Sequence, residues 1–97
     1  MIFTAKIITP QDLLVIQDAL CVVLQTINGQ EGILAKHQMD SYELQAGICT
    51  VRSGEKGDMV ERFKLSDGIA KFEHNVLEIV VVLMERYAQS IDENVNR

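Results

Sequence analysis

Apolar and polar side chains alternate along several short segments of this chain, and a period of two is typical of a strand that buries one face. The first such segment, Ile2–Ile8, is followed by Pro10, which has no N–H to donate to a strand ladder. Its predicted inward residues are Phe3, Ala5 and Ile7. The pattern therefore predicts a half-buried strand at the start of the chain.

The second half of the chain repeats this pattern between turn signals. We predict further strands at Ile48–Arg52, Arg62–Leu65, Ile69–Glu73 and Val76–Met84. Turns are predicted at Asn28-Gly29, Glu31-Gly32, Ser53–Asp58, Ser66-Asp67-Gly68 and His74-Asn75. The apolar run Ile79–Met84 does not alternate. This run predicts a strand buried on both faces, one of them covered by a partner protein.

The segment Leu13–Ile27 fits two structures. Its apolar positions follow one face of a helix that Asp12 would cap, and the run from Leu20 to Leu24 fits a doubly buried strand equally well. The periodicity of the sequence alone does not decide between the helix and the strand. A helix here would make the domain α+β, whereas a strand would make it all-β.

Length and charge narrow the function classes. The 97 residues form one domain with a single modest core. Binding to nucleic acids or anionic membranes requires a dense patch of Lys and Arg. This chain has a net charge of −5, so neither is an expected partner. The longest apolar run, Ile79–Met84, is far shorter than the roughly 20 residues of a membrane span, so we expect no direct lipid insertion.

We predict an all-β fold, a small antiparallel β-sandwich or flattened barrel. At most a short helical turn is expected at Glu85–Asp92. The sandwich domain is predicted to cover residues 1–92, and residues 93–97 are predicted to fray.

No set of reactive side chains suggests catalysis or metal binding. The histidines and cysteines lack the spacing of metal ligands. Ser66-Asp67 lies in no nucleophile elbow, and Gly29-x-x-Gly32 lacks the Gly-Lys-Ser/Thr end of a phosphate loop. We therefore expect no catalytic residue, no metal and no cofactor. Cys21 and Cys49 are expected to be free thiols, although a disulfide between them stays open.

A glycine-bracketed segment carries a resemblance to a known family. The matching residues are Ile8-Thr9-Pro10, Gly29, Gly32-Ile33-Leu34, His37, Leu44, Gly47, Phe63, Ser66, Gly68, Asn75-Val76 and Ile91-Asp92. At this spacing they resemble the sheet domain of the epsilon subunit of the rotary proton-translocating ATP synthase.

The chain departs from the family pattern at several positions. Ala35-Lys36 stands where the family has Pro-Gly, and Val15-Ile16-Gln17 stands where it has Phe-Ser-Gly. Gln30 replaces an acidic residue, Met39 a proline and Asp67 a glycine. Each departure removes a backbone restraint or a specific contact.

The resemblance implies two strands at about Leu13–Gln17 and Ala19–Thr26. It also implies a non-catalytic central-stalk subunit that couples the gamma subunit to the membrane c-ring during ATP synthesis. The implied ring contacts are Gln30, Glu31, Lys36, His37 and Gln38, within a loop expected at Gln30–Gln38. The implied gamma contacts are Leu13, Leu14, Val15, Ile16 and Gln17, together with apolar surface of the final hairpins. The implied location is peripheral, on the cytoplasmic face of a bacterial inner membrane.

In the family a two-helix hairpin follows the sheet domain, often regulates the enzyme and in some members binds ATP. The sequence ends about where that hairpin would begin, so we expect neither hairpin-based inhibition nor nucleotide binding. An alternative to the stalk role is a stand-alone β-sandwich module that binds other proteins through a sheet face or an edge strand.

Overall fold

The computed structural model describes residues 1–87. Within them the chain forms nine β-strands: β1 (Phe3–Ile8), β2 (Leu13–Thr26), β3 (Gly29–Leu34), β4 (Asp40–Leu44), β5 (Gly47–Ser53), β6 (Met59–Leu65), β7 (Gly68–Glu73), β8 (Val76–Val81) and β9 (Met84–Arg86). No helix in this range has the length and apolar character needed to cross a bilayer.

Strand β2 resolves the ambiguity of the first half of the chain. It is one strand of 14 residues, so the helix alternative is wrong and the two implied strands are continuous. Ala19, Val22 and Leu24 point into the core. The outward residues between them are half-buried, which explains why this segment reads as an unbroken apolar run.

Two irregularities bend β2. Between the pairs Phe3↔Ala19 and Ala5↔Ile16 it holds an extra residue against β1, and between Ala19 and Cys21 it holds another against β5. Such bulges kink a strand and increase its twist. They allow the first half of β2 to continue one layer and the second half to continue the other.

The strands form two layers around one core. One layer contains β4, β7, β8, β1 and the first half of β2, and the other contains β3, the second half of β2, β5, β6 and β9. The pair Thr26↔Leu44 connects β4 to the far end of β2 and so joins the first layer to the second. The predicted all-β sandwich is confirmed. One pair, β1 with β8, is parallel rather than antiparallel.

The core lies between these layers. Its largest fully buried side chains are Phe3, Phe63, Phe72, Ile7, Leu24, Ile33, Leu77, Ile79, Val22, Val51 and Cys49. The predicted inward residues Phe3, Ala5 and Ile7 are all buried. The rings of Phe3 and Phe72 meet edge to face with their centroids 5.7 Å apart.

The burial of β8 on both faces is not seen within this chain. Leu77, Ile79 and Val81 are buried, whereas Val80 is 42% exposed and the following Val82 is 64% exposed. The apolar run therefore has one face in the core and one on the surface. Its sequence shows no apolar–polar alternation because the outward positions carry valine rather than polar residues. Cover from a partner remains a prediction.

Two local predictions are corrected by the strands. Glu31-Gly32 lies inside β3 rather than in a turn, and the expected loop at Gln30–Gln38 is a strand as far as Leu34. Val23↔Gly32 and Leu24↔Glu31 are ladder pairs, so the backbone of this segment is held by β2.

The predicted helical turn at Glu85–Asp92 is wrong at its start, because Met84–Arg86 forms β9 against β6. Arg86 contributes to this pairing, since its guanidinium lies over the Phe63 ring and pairs with Glu61. Residues 88–92 of the predicted turn and the predicted frayed tail lie outside the described residues.

The predicted turn at Ser66-Asp67-Gly68 connects three parts of the sandwich. Ser66 Oγ accepts hydrogen bonds from the N–H groups of Val82 and Leu83, and Asp67 Oδ1 accepts one from the Ala46 N–H. Gly68 begins β7 opposite Val81. A Cβ at Gly68 would lie 2.2 Å from a backbone carbonyl oxygen of β8, so glycine is required by close approach.

We expect Gly68→Ala to lower the free energy of unfolding by about 1–3 kcal/mol, the range for overpacking a closed site. Gly32→Ala is the matched control, because a Cβ there meets no heavy atom within 4 Å. The control should be neutral or slightly stabilising, since Ala loses less backbone entropy on folding than Gly. Urea denaturation measures both variants. An equal loss in the two would show that β8 does not crowd Gly68.

The cysteines are both free, which settles the disulfide question. Cys49 is buried in the core, and Cys21 lies on the outer side of β2, half-buried. Burial raises the pKa of the Cys49 thiol to about 12, which suppresses the reactive thiolate.

We expect a chromogenic disulfide reagent at pH 8 to modify one thiol of the native protein and the second only after unfolding. Cys21→Ser should remove the fast phase and Cys49→Ser the slow one. Fast modification of Cys49 in the native Cys21→Ser variant would contradict its burial.

Candidate interaction surfaces

The segment between β3 and β4 forms a tight turn that presents three of the residues implied for the ring contact. The His37 N–H donates to the Leu34 carbonyl at 3.2 Å, which closes the turn. Lys36 occupies its third position with φ of 63°. This conformation favours glycine, and the family pattern has glycine at this position.

Asn75 secures this turn from another part of the chain. Its Oδ1 accepts the Lys36 N–H at 2.9 Å, and its Nδ2 donates to the Ile2 carbonyl at 2.9 Å. Its own carbonyl accepts the Thr4 N–H at 3.2 Å. Asn75 was matched in sequence only as part of a hairpin. His74 and Asn75 both have positive φ, which explains why an asparagine suits this turn. It does not predict the hydrogen bonds of Asn75 to Lys36 and Ile2.

His37 packs at the end of the core. Its half-buried ring lies edge to face against Phe72, with centroids 5.9 Å apart, and against Tyr42, with centroids 6.4 Å apart. Nδ1 lies 3.0 Å from the Gln38 carbonyl, within reach for an N–H at that nitrogen to donate. This geometry gives His37 a structural role at the loop end, where it packs and hydrogen-bonds.

Tyr42 carries an unusual hydroxyl beside this cluster. Among the described residues its buried hydroxyl has no hydrogen-bond partner. Burial, and then the nearby carboxylates of Asp40 and Glu31, raise the pKa of Tyr42. The phenol therefore stays neutral at physiological pH and acts as part of the aromatic packing rather than as an acid or base.

The residues implied for the ring contact fall into two groups. Lys36, His37 and Gln38 lie together after β3, whereas Gln30 pairs with Gln25 near the opposite end of that strand. At about 3.3 Å per residue, Gln30 and Leu34 are roughly 13 Å apart along the strand. Glu31 lies beside Gln30, half-buried. The structure thus does not bring all five residues into one patch.

An apolar row crosses the outer face of the first layer. It consists of Leu13, Ile8, Val80 and Ile69, each the direct cross-strand partner of the next. Leu13 and Ile69 are 62% and 60% exposed, and Val80 is 42% exposed. Apolar side chains that are contiguous across four strands form a surface suited to contact with another protein.

The residues implied for the gamma contact divide by the pleat of β2. Leu13, Val15 and Gln17 point outward, and Leu13 belongs to the apolar row. Leu14 packs against the core and Ile16 is part of it, so neither offers its side chain to a partner. Sequence reasoning treated Ile69 and Val80 as strand residues and did not single them out for this face. Their outward register places them there.

A charged row lies beside the apolar row. Lys6 pairs across the ladder with Glu78, and Glu78 pairs with Lys71. Lys71 Nζ also lies 2.9 Å from the Glu73 carboxylate. This contact raises the pKa of Lys71 and lowers that of Glu73. Acidic and basic side chains alternate in this row, so their charges largely cancel beside the apolar row.

The described residues show no group of three or more His, Cys, Asp or Glu side chains arranged to hold a metal ion. Two surface features lie at opposite ends of the first layer: the apolar row at one end, and the turn of Leu34–Gln38 at the other.

Comparison with known proteins identifies a family and a set of similar solved structures, two of which are mitochondrial ATP synthases. Residues 2–87 match the family described as ATP synthase, Delta/Epsilon chain, beta-sandwich domain. The chain is similar to a chain of the Euglena gracilis mitochondrial ATP synthase (OSCP/F1/c-ring, rotational state 1), with a TM-score of 0.75 and 23% identity. That match covers 84% of this chain and 51% of the other, so this chain spans about half the length of that relative.

A second neighbour is a chain of the Tetrahymena thermophila mitochondrial ATP synthase, from a structure of its central stalk and c-ring. The TM-score is 0.73 at 19% identity, covering 96% of this chain and 76% of the other. At these identities the likeness shows a shared fold. Neither comparison supports the stand-alone module.

We expect Lys36→Gly to raise the free energy of unfolding by about 0.5–1 kcal/mol. Left-handed backbone costs a side-chain-bearing residue about 1–2 kcal/mol, and the larger entropy of an unfolded glycine offsets part of that gain. Lys36→Ala is the control, because it removes the charge and keeps the strain, and it should leave stability unchanged. Chemical denaturation measures both. Equal stabilisation by Ala and Gly would point to charge rather than backbone conformation.

Proposed function

This chain belongs to the family of ATP synthase delta/epsilon β-sandwich domains, and on that premise we propose that it is a non-catalytic subunit of the enzyme's central stalk. Its role is to couple the gamma subunit to the c-ring while the rotor turns. The family match over residues 2–87 is the observation that carries this proposal. Proton transfer and phosphoryl chemistry belong to other subunits.

The apolar row is the surface we assign to gamma. Leu13 is among the residues that the sequence implied for this contact, and Val80 and Ile69 belong to the late hairpin that it also implied. Burial of exposed apolar side chains stabilises an interface by roughly 25 cal/mol per Å². The alternating charges of Lys6, Glu78 and Lys71 suit the polar rim that surrounds such a contact.

The Leu34–Gln38 turn is the surface we assign to the c-ring. Lys36 and Gln38 are exposed there, and His37 anchors the turn on Phe72. Gln30 and Glu31 remain part of the proposal as a separate contact near the opposite end of β3. The two surfaces occupy opposite ends of the first layer, so one rigid domain can bear on two partners.

In this role the protein lies at an energy-transducing membrane as a peripheral component of the synthase. The cytoplasmic face of a bacterial inner membrane is the location that we propose, and the two structural neighbours are mitochondrial. Contact with the membrane is through the ring, because the net charge of −5 opposes binding to anionic lipid.

Co-purification tests the proposal. A tagged chain extracted gently with its membranes should recover gamma, the c-ring and the catalytic subunits. Ile69→Asp should lower the recovery of gamma at least tenfold, because it places a charge in the apolar row, and tenfold corresponds to about 1.4 kcal/mol.

Met59→Asp is the matched control, since Met59 is 58% exposed on β6 and Ile69 is 60% exposed on β7. It should recover gamma like the wild type. Equal losses in the two variants would remove gamma from the apolar row. If the wild type recovered none of these subunits at normal expression, the central-stalk role would be wrong.

A further inference from the structure

We propose that Asn75 is the positioning residue of the ring-facing turn: its side-chain amide holds the Leu34–Gln38 turn in place without itself contacting the ring. This inference rests on the proposed function, because it concerns the surface assigned there to the c-ring. Asn75 belongs to the β7–β8 turn, far along the chain from the segment that it holds.

The hydrogen bonds of Asn75 connect three separate segments. Oδ1 accepts from the Lys36 N–H in the β3–β4 connection, and Nδ2 donates to the Ile2 carbonyl before β1. The backbone carbonyl of the same residue accepts from the Thr4 N–H. A single amide therefore uses one acceptor and one donor to fix two chain segments against the end of the sheet.

The Leu34–Gln38 turn needs this support because its local structure is unfavourable. Lys36 has φ of 63°, a conformation that costs a lysine free energy relative to glycine. Within the turn, a backbone hydrogen bond joins His37 to Leu34. The bond from Asn75 Oδ1 holds the strained residue itself, so Asn75 selects the conformation that presents the Lys36 side chain.

The other anchor of the turn depends on the same arrangement. The His37 ring packs against Phe72, which lies on β7 three residues before Asn75. The β7–β8 hairpin thus supplies both the aromatic surface under His37 and the amide that binds Lys36. The surface that this turn would present to the c-ring therefore depends on β7 and β8 as well as on β3 and β4.

The tight two-residue turn orients the amide. His74 and Asn75 have φ of 55° and 61°, as expected for the hairpin turn with positive φ at both positions. Asparagine tolerates this conformation better than most residues, and glycine tolerates it best. Asn75→Gly therefore keeps the turn and removes both side-chain hydrogen bonds, while Asn75→Asp keeps an acceptor for Lys36 and loses the donor to Ile2.

The first measurement is amide hydrogen exchange of the full chain by NMR. We expect Asn75→Gly to speed exchange at Lys36 about tenfold, the size expected for losing one hydrogen bond. Asn75→Asp should stay within about twofold of the wild type, because it retains the acceptor. His74→Gly is the matched control in the same turn and should leave Lys36 unchanged. Unchanged exchange at Lys36 in Asn75→Gly would overturn the proposal.

The second measurement is affinity for a purified gamma–c-ring complex, compared with gamma alone. We expect Asn75→Gly to weaken binding to the complex at least fivefold and to leave binding to gamma unchanged, a split that general destabilisation would not produce. Asn75→Asp and His74→Gly should bind both like the wild type. Faster Lys36 exchange with full affinity for the complex would overturn the positioning role at the ring.

These two measurements separate this inference from the central-stalk role. If the wild type bound neither gamma nor the complex, the proposed function would fail, and the ring-contact part of this inference with it. The exchange data would still decide whether Asn75 holds the turn. If the wild type bound both and Asn75→Gly did so equally, the proposed function would stand and Asn75 would have no part in it.

Discussion

The hydrogen-bonded ladders on both edges of β2 are the constraint on which the rest of this structure depends. One edge pairs first with β1 and then with β3, and the other pairs with β5. Because one covalent strand belongs to both layers, the layers cannot slide past each other without breaking backbone hydrogen bonds. The bulges around Ala19 redirect the strand between layers, and the pair Thr26↔Leu44 joins the two layers again at the far end of β2. Side-chain packing alone would resist such sliding less, since apolar contacts are not directional.

That rigidity is what makes two separated surfaces useful together. The apolar row uses the outer positions of four neighbouring strands at one end of the first layer. The Leu34–Gln38 turn lies at the other end, fixed by Asn75 and by Phe72 under His37. A load applied at either surface reaches the other through ladder hydrogen bonds rather than through a flexible linker. For the proposed place in a rotor this rigidity matters more than any shifted pKa, because a coupling domain must keep its shape during each step.

The sequence predicts most of the fold wherever one face of a strand is polar. Alternation identified the inward residues of β1 correctly and located the strands β5 and β6. It failed where both faces carry apolar side chains, as in β2, where bulges also break the period of two. The turn prediction at Glu31-Gly32 also failed, because in sequence a glycine within a strand cannot be distinguished from a glycine in a turn. Of the candidate surfaces, the division of Leu13–Gln17 into outward and inward residues follows from the period of two once a strand is assumed, although Leu13–Ile16 are all apolar and show no alternation. The Asn75–Lys36 bond joins residues 39 positions apart, and no local pattern reports it.

The Lys36 turn illustrates how this fold tolerates divergence. The family pattern has Pro-Gly where this chain has Ala35-Lys36, yet the turn still requires positive φ at the second of these positions. Proline and glycine would favour the turn from within. Here the local preference is weaker, and one hydrogen bond from the distant Asn75 holds Lys36 in this conformation. The substitution also places a cation on an exposed turn. A scaffold held by β2 can therefore lose local restraints while the chemistry of its surfaces changes, which explains how the same fold occurs in relatives of low sequence identity.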